Sequence, residues 1–144
     1  MKRFFVVFAV LMILLLSSCS KTNKLFEINH EHYYSSKNLE FVTEKEGYSS
    51  SDTVIRYYIT NTGEEENAIA ADSECFELHR LVDGEWMEIG AKIDHAWTEA
   101  ALILEPGKTV TREIDLEKYF YLPLEAGEYR ISVGYLLSES FTVS

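Results

Sequence analysis

Cysteine is scarce: Cys19 and Cys75 are the only two in 144 residues. At most one disulfide can form, so the chain is not a disulfide scaffold and must build its own core. Positive charge is also in deficit, with 13 Lys and Arg against 24 Asp and Glu and a formal net charge of −11. A chain this acidic repels phosphate backbones, which argues against nucleic acid as a partner. It also offers no polybasic help toward anionic lipid. Long apolar runs are missing too. Phe4 to Leu16 is unbroken but only thirteen residues long. At ~1.5 Å per residue it reaches about 20 Å as a helix, short of a ~30 Å hydrocarbon layer. No Gly-rich phosphate loop and no Gly-x-Ser-x-Gly elbow occurs, so two common enzyme signatures are absent.

What is present is apolar and aromatic. Hydrophobic residues make up 47% and aromatics 13%, including nine Tyr and eight Phe, which suits half-buried strands and excludes the disordered class. The N-terminus has three zones. Lys2 and Arg3 are followed by the apolar run, then by the small residues Ser17 and Ser18. That is the layout of a secretory leader over residues 1–18. Its loss leaves the remainder two charges more negative. The segment Leu16-Ser17-Ser18-Cys19 resembles the bacterial lipobox of lipoprotein signal peptides. The resemblance implies cleavage between Ser18 and Cys19 and a diacylglycerol (palmitate-type) anchor on the Cys19 thiol. Two or more acyl chains hold stably where one is marginal. The alternative is an ordinary leader followed by an incidental cysteine. If Cys19 is acylated, Cys75 has no partner within the chain and reads as a small buried hydrophobe.

Residues 19–36 would then be the lipidated cysteine and a flexible tether, since no clean period is visible there. Fully extended, residues 20–36 would reach ~55 Å. His30-Glu31-His32 lies inside it and makes an incomplete metal site, so no metal or other cofactor is expected. From residue 37 onward strands dominate. Ile55, Tyr57 and Ile59 share a face, as do Phe76, Leu78 and Val82. His79 falls on the opposite face and reads as a surface residue. Asp83-Gly84 between two alternating runs is the strongest short hairpin signal. Tyr129, Ile131, Val133 and Tyr135 alternate on one side, and "DLEKYFYL" has room for one helical turn. Residues 91–104 fit helix and strand alike. Seven or eight short strands divided by turns predict one all-β antiparallel sandwich over residues 37–144.

Leu124-x-x-Gly127-x-Tyr129 resembles the tyrosine corner of immunoglobulin-like sandwiches. Three more pieces agree in order: "YYITNTGEEE", "CFELHRLVDGEW" and "ILEPGKTVTREIDLEKYF". Together they resemble a family of bacterial immunoglobulin-like domains carried on secreted and lipid-anchored proteins. The family pattern assigns no catalytic residues, and fold alone does not settle function.

The expected role is therefore a non-catalytic binding module on the extracytoplasmic face of the cell membrane. Its expected partners are the membrane, through Cys19, and an envelope protein or polysaccharide. Trp86, Trp97, Tyr119 and Tyr121 lie near predicted turns and are the candidate binding patch. Two other readings stay open. Asp94-His95 beside Trp97 is the only place for a small envelope hydrolase or enzyme accessory, and the chain also suits a structural spacer.

Overall fold

The computed structural model describes residues 21–69, 75–94 and 100–144. Strands form where every second residue is bulky and apolar. In β4 (Val54–Asn61), Ile55, Tyr57 and Ile59 are at most 1% exposed, while Arg56, Tyr58 and Thr60 between them are half-exposed. β4 is the middle of a three-stranded antiparallel sheet, flanked by β2 (Leu39–Thr43) and β9 (Thr109–Asp115). The larger sheet runs in the order β1 (Leu25–Glu27), β7 (Glu85–Ile89), β6 (Phe76–Val82), β10 (Gly127–Val133), β12 (Phe141–Val143) and β3 (Gly47–Tyr48). β11 (Leu136–Leu137) pairs beside β10, and β5 (Asn67–Ile69) with β8 (Leu102–Leu104) makes a separate ribbon. The architecture is an all-β sandwich. Among the described strands every ladder is antiparallel except β3 with β12.

One hydrophobic core fills the space between the layers. β2 and β4 contribute Phe41 and Tyr57, whose ring centroids lie 5.2 Å apart; β6 and β10 contribute Phe76, Leu78, Tyr129 and Ile131. Each such side chain stabilises the fold by about 1.5–3 kcal/mol on leaving water. Burial pushes the phenols of Tyr57 and Tyr129 up to about 12. The folded chain favours the neutral phenol, whereas an unfolded tyrosine ionises near 10. Stability is complete below that value and falls as pH rises from about 10 through about 12. Denaturation midpoints at about pH 8 and about pH 11 should differ in that direction, and equal midpoints would contradict the burial of these two phenols.

Local chemistry sets the turns. Asp83 (φ 52°) and Gly84 (φ 84°) join β6 to β7 with both central residues left-handed, as a type I′ hairpin requires. Asp115 accepts from the Lys118 N–H at 3.0 Å and caps α1 (Leu116–Tyr119), the single turn expected there. Asn61, fully buried, ties the end of β4 to the loop beyond it and to β8. Its Nδ2 donates to the carbonyls of Glu65 (2.7 Å) and Leu104 (2.8 Å), and its Oδ1 accepts from the Gly63 N–H (2.9 Å).

Four expectations need correction. The stretch read as a tether contributes β1, which pairs with the edge of β7 at Leu25–Ile89 and Glu27–Met87. Asn23 is fixed by two hydrogen bonds to the Tyr121 backbone. A three-residue strand shows no period in sequence, and its pairing is decided by the partner edge. His79 lies on the predicted face yet is 0% exposed, because Tyr33 packs edge-on against its ring at 5.0 Å and bonds to Glu77 beside it. Tyr135 leaves the strand alternation: β10 ends at Val133, and Gly134 (φ 53°) with Tyr135 (φ 71°) turns the chain into β11. Tyr119 is core, its ring 5.0 Å edge-on from Phe76, and is unavailable to a surface patch.

Candidate functional site

The outer face of the larger sheet carries a linked polar cluster built around the buried His79. Glu77 and His79 project outward from β6, and Arg130 from the cross-strand position opposite His79 on β10. Trp86 and Glu88 of β7 complete the row, with Glu88 opposite His79. After β1 the chain turns back over this face. Asn29 opens a short 3₁₀ turn at His30–His32, its side chain accepting the Glu31 N–H at 3.2 Å. Tyr33 then points down onto β6. Tyr34 bridges to the β10–β11 turn, donating N–H to Tyr135 at 3.0 Å and accepting from the Leu137 N–H at 2.9 Å.

A continuous hydrogen-bonded chain holds this strap in place. The Tyr33 hydroxyl donates to Glu77 Oε2 at 2.6 Å. His79 Nε2 meets the same oxygen at 3.0 Å, and Arg130 Nε donates to His79 Nδ1 at 3.3 Å. Arginine has donors only, so Nδ1 accepts and the imidazole proton sits on Nε2, facing the carboxylate. A neutral His79 thus passes one bond from cation to anion. Burial, the bond to Glu77 and the negative charges of Glu77 and Glu88 hold the Tyr33 phenol well above its ordinary value. Burial pulls the Arg130 guanidinium below its usual value, opposed by Tyr33. Arg130 also lies over the Trp86 ring, 4.3 Å from its centroid.

Above this base sits an aromatic surface. Tyr33 and Tyr135 meet edge to face at 5.5 Å, and His32 and Tyr135 at 5.8 Å. Tyr34 and Tyr135 are each 48% exposed. Tyr135 holds a left-handed backbone that a bulky residue adopts only when its surroundings impose it. Its neighbours do so here, through the Tyr34 bond and the two ring contacts. Such sites concentrate where a side chain is presented for function.

The residues singled out from sequence are not gathered together. Trp86 is half-buried and lines a cleft of about 360 Å³ with Glu27, His30 and Met87. Tyr121 lines a different cleft, with Lys92 and Phe26. Cys19, Ser18, His95 and Trp97 lie outside the described residues, and Asp94 is exposed in the loop after β7. Leu124 is buried; the Tyr129 hydroxyl donates to the Glu125 carbonyl four residues back at 2.6 Å. A Cβ on Gly127 would sit 3.2 Å from Arg80 Nε. Among the described residues no group of three or more His, Cys, Asp or Glu is placed to hold a metal ion. Sequence reasoning missed Tyr33, Tyr34, Tyr135, Glu77, His79 and Arg130. The available signal was "HEHYY", four ring-bearing residues within five in a segment with few other apolar groups.

The family model described as a bacterial Ig-like domain matches residues 35–144, and the chain belongs to that family. No curated protein matches it. Among solved structures, a β-glucosidase from Erythrobacter marinus is similar at 21% identity and TM-score 0.41, over 73% of this chain and 15% of that one. A Listeria innocua β-glucosidase in complex with glucose is similar at 15% identity and TM-score 0.38, over 78% of this chain and 17% of that one. An alkylpurine DNA glycosylase from Pseudomonas fluorescens, bound to DNA containing an abasic site analog, is similar at 10% identity and TM-score 0.36, over 76% and 31%. This chain spans less than a third of each of those proteins, and likeness at that level carries no argument about their activities.

Proposed function

We propose that this chain is a lipid-anchored, extracytoplasmic binding module that recognises a protein or polysaccharide of the cell envelope and performs no chemistry itself. The observation that carries the reading is the exposed Tyr34–Tyr135 pair, held on a buried polar foundation. Rigid aromatic groups of this kind give contact area at low entropic cost and anchor interfaces. Glu77, His79 and Arg130 are occupied by one another and capped by Tyr33, an arrangement that supports positioning rather than turnover. Acylation at Cys19 would concentrate the module at the membrane, where weak contacts suffice.

A photo-crosslinking amino acid at Tyr135, in the full chain in cells, tests the ligand face. Adducts should form there and be absent from the same probe at Asp83, on the β6–β7 turn. Equal yields at the two positions would exclude Tyr135 as part of a ligand face, and no adduct at either would favour a spacer.

A further inference from the structure

We infer that the face around Tyr121 lies directly against an anionic lipid bilayer, rather than being held away from it. The inference rests on the Cys19 anchor proposed above and adds the orientation of the domain. Its first ground is the short sequence distance from Cys19 to the first fixed residue. Asn23 Nδ2 donates to the Tyr121 carbonyl and Asn23 Oδ1 accepts the Tyr121 N–H, each at 2.8 Å. From there β1 continues along the edge of β7, and the Gly90 N–H donates to the Lys24 carbonyl at 2.8 Å. Three residues lie between Cys19 and Asn23, four residue steps that span at most ~14 Å. A body fixed that close to its anchor must set one face on the membrane.

The second ground is what that face carries. The cleft beside Tyr121 has a volume of about 290 Å³; its lining includes Lys24, Phe26, Gly90, Lys92 and Tyr121, and no carboxylate. The Lys21 and Lys92 ammonium groups lie 5.9 and 5.6 Å from the Tyr121 ring centroid. In a chain of net charge −11 the lining of this cleft is locally cationic. The acids beside it are Glu88, which pairs with Phe26 across the β1–β7 ladder, and Glu27 and Asp94, which adjoin it in the chain. Phe26, 49% exposed, lines the cleft with Lys24 and Lys92, and Ile93 is 40% exposed one residue beyond Lys92. The Phe26 ring lies over Gly90, where any Cβ would collide with it, so the ring is presented outward from a flat support. Lysine with tyrosine and other apolar side chains is the composition that settles at a headgroup boundary, the ammonium groups reaching phosphate while the rings and stems stay in the apolar layer. The negative net charge of the whole chain argues against lipid attraction; the distribution of charge reverses that conclusion at this one face.

The test uses the full chain, purified with its lipid and placed in vesicles of phosphatidylcholine, with or without phosphatidylglycerol. An environment-sensitive fluorophore is attached at Phe26→Cys, at Thr22→Cys as a second position in the same cleft should the first fold poorly, and at Asp83→Cys as the distal control. Palmitate incorporation is measured in parallel with Cys19→Ala. The inference expects a blue-shifted probe at position 26 or 22 on phosphatidylglycerol vesicles and an aqueous probe at position 83. It also expects loss of the shift in the combined variant Lys21→Gln, Lys24→Gln and Lys92→Gln. Palmitate label with an aqueous probe at both near positions would overturn the bilayer seating and leave the anchor standing. Absence of palmitate label from the unaltered chain would remove both.

Discussion

Glu77→Ala is expected to be the most damaging single change on the outer sheet face. It removes the shared acceptor of the Tyr33 hydroxyl and the His79 Nε2–H, leaving two donors without a carboxylate. His79 is fully buried and water cannot replace the oxygen it loses. Tyr33 is half-buried, and water reaches it in part. An orphaned buried donor costs about 1–3 kcal/mol, so the expected loss is about 2–4 kcal/mol. The damage should be directional. Strap residues 28–36 should loosen while β4 and its neighbours keep their protection. Glu77→Gln can keep an acceptor oxygen at the Oε2 position for both donors but loses the negative charge, and should fall between. A urea midpoint unchanged from the parent chain would mean that Glu77 does not hold the strap.

Asn61→Asp should cost as much as Asn61→Ala, although it changes the shape of the side chain far less. The amide donates to two carbonyls, of Glu65 and Leu104, in a site with no exposure. Alanine removes the donor to the buried Leu104 carbonyl and the acceptor of the Gly63 N–H, while the Glu65 carbonyl keeps Asn67 Nδ2 at 3.2 Å, a loss of about 2–4 kcal/mol from groups worth about 1–3 kcal/mol each. Aspartate sets a carboxylate against the same two oxygens, where both repulsion and burial of charge oppose folding. Its penalty should ease as pH falls and the carboxyl is protonated. If packing volume alone mattered, Asp would be mild and Ala severe at every pH. Equilibrium denaturation of both variants at two pH values separates these accounts.

The strands that build the core are legible because their pattern is long and their burial one-sided. Ile55, Tyr57 and Ile59 need no partner to be recognised as one face, and Asp83-Gly84 fixes the hairpin by its backbone preferences alone. Alternation reports which face a residue takes; it does not report what covers that face. For that reason it puts His79 on the correct side with the wrong environment, since the cover comes from residues more than forty positions earlier. β1 is invisible for a related cause. Leu25, Phe26 and Glu27 are all exposed and show no alternation, and the open edge of β7 makes them a strand. Tyr135 continues the period of Tyr129, Ile131 and Val133 by accident, because Gly134 has already ended the strand. The candidate binding surface therefore arises from contacts between distant segments, which single-sequence patterns do not carry.

The docking of residues 21–36 on the sheet is the claim on which both the ligand face and the bilayer seating depend. Hydrogen–deuterium exchange of the full chain, resolved by peptide, measures it directly. Slow exchange is expected at Gly90, Tyr34 and Leu137, whose N–H groups bond across the junction to Lys24, Tyr135 and Tyr34. Exchange of peptides spanning residues 21–36 at the rate of an unstructured chain, with a protected β4, would contradict the account.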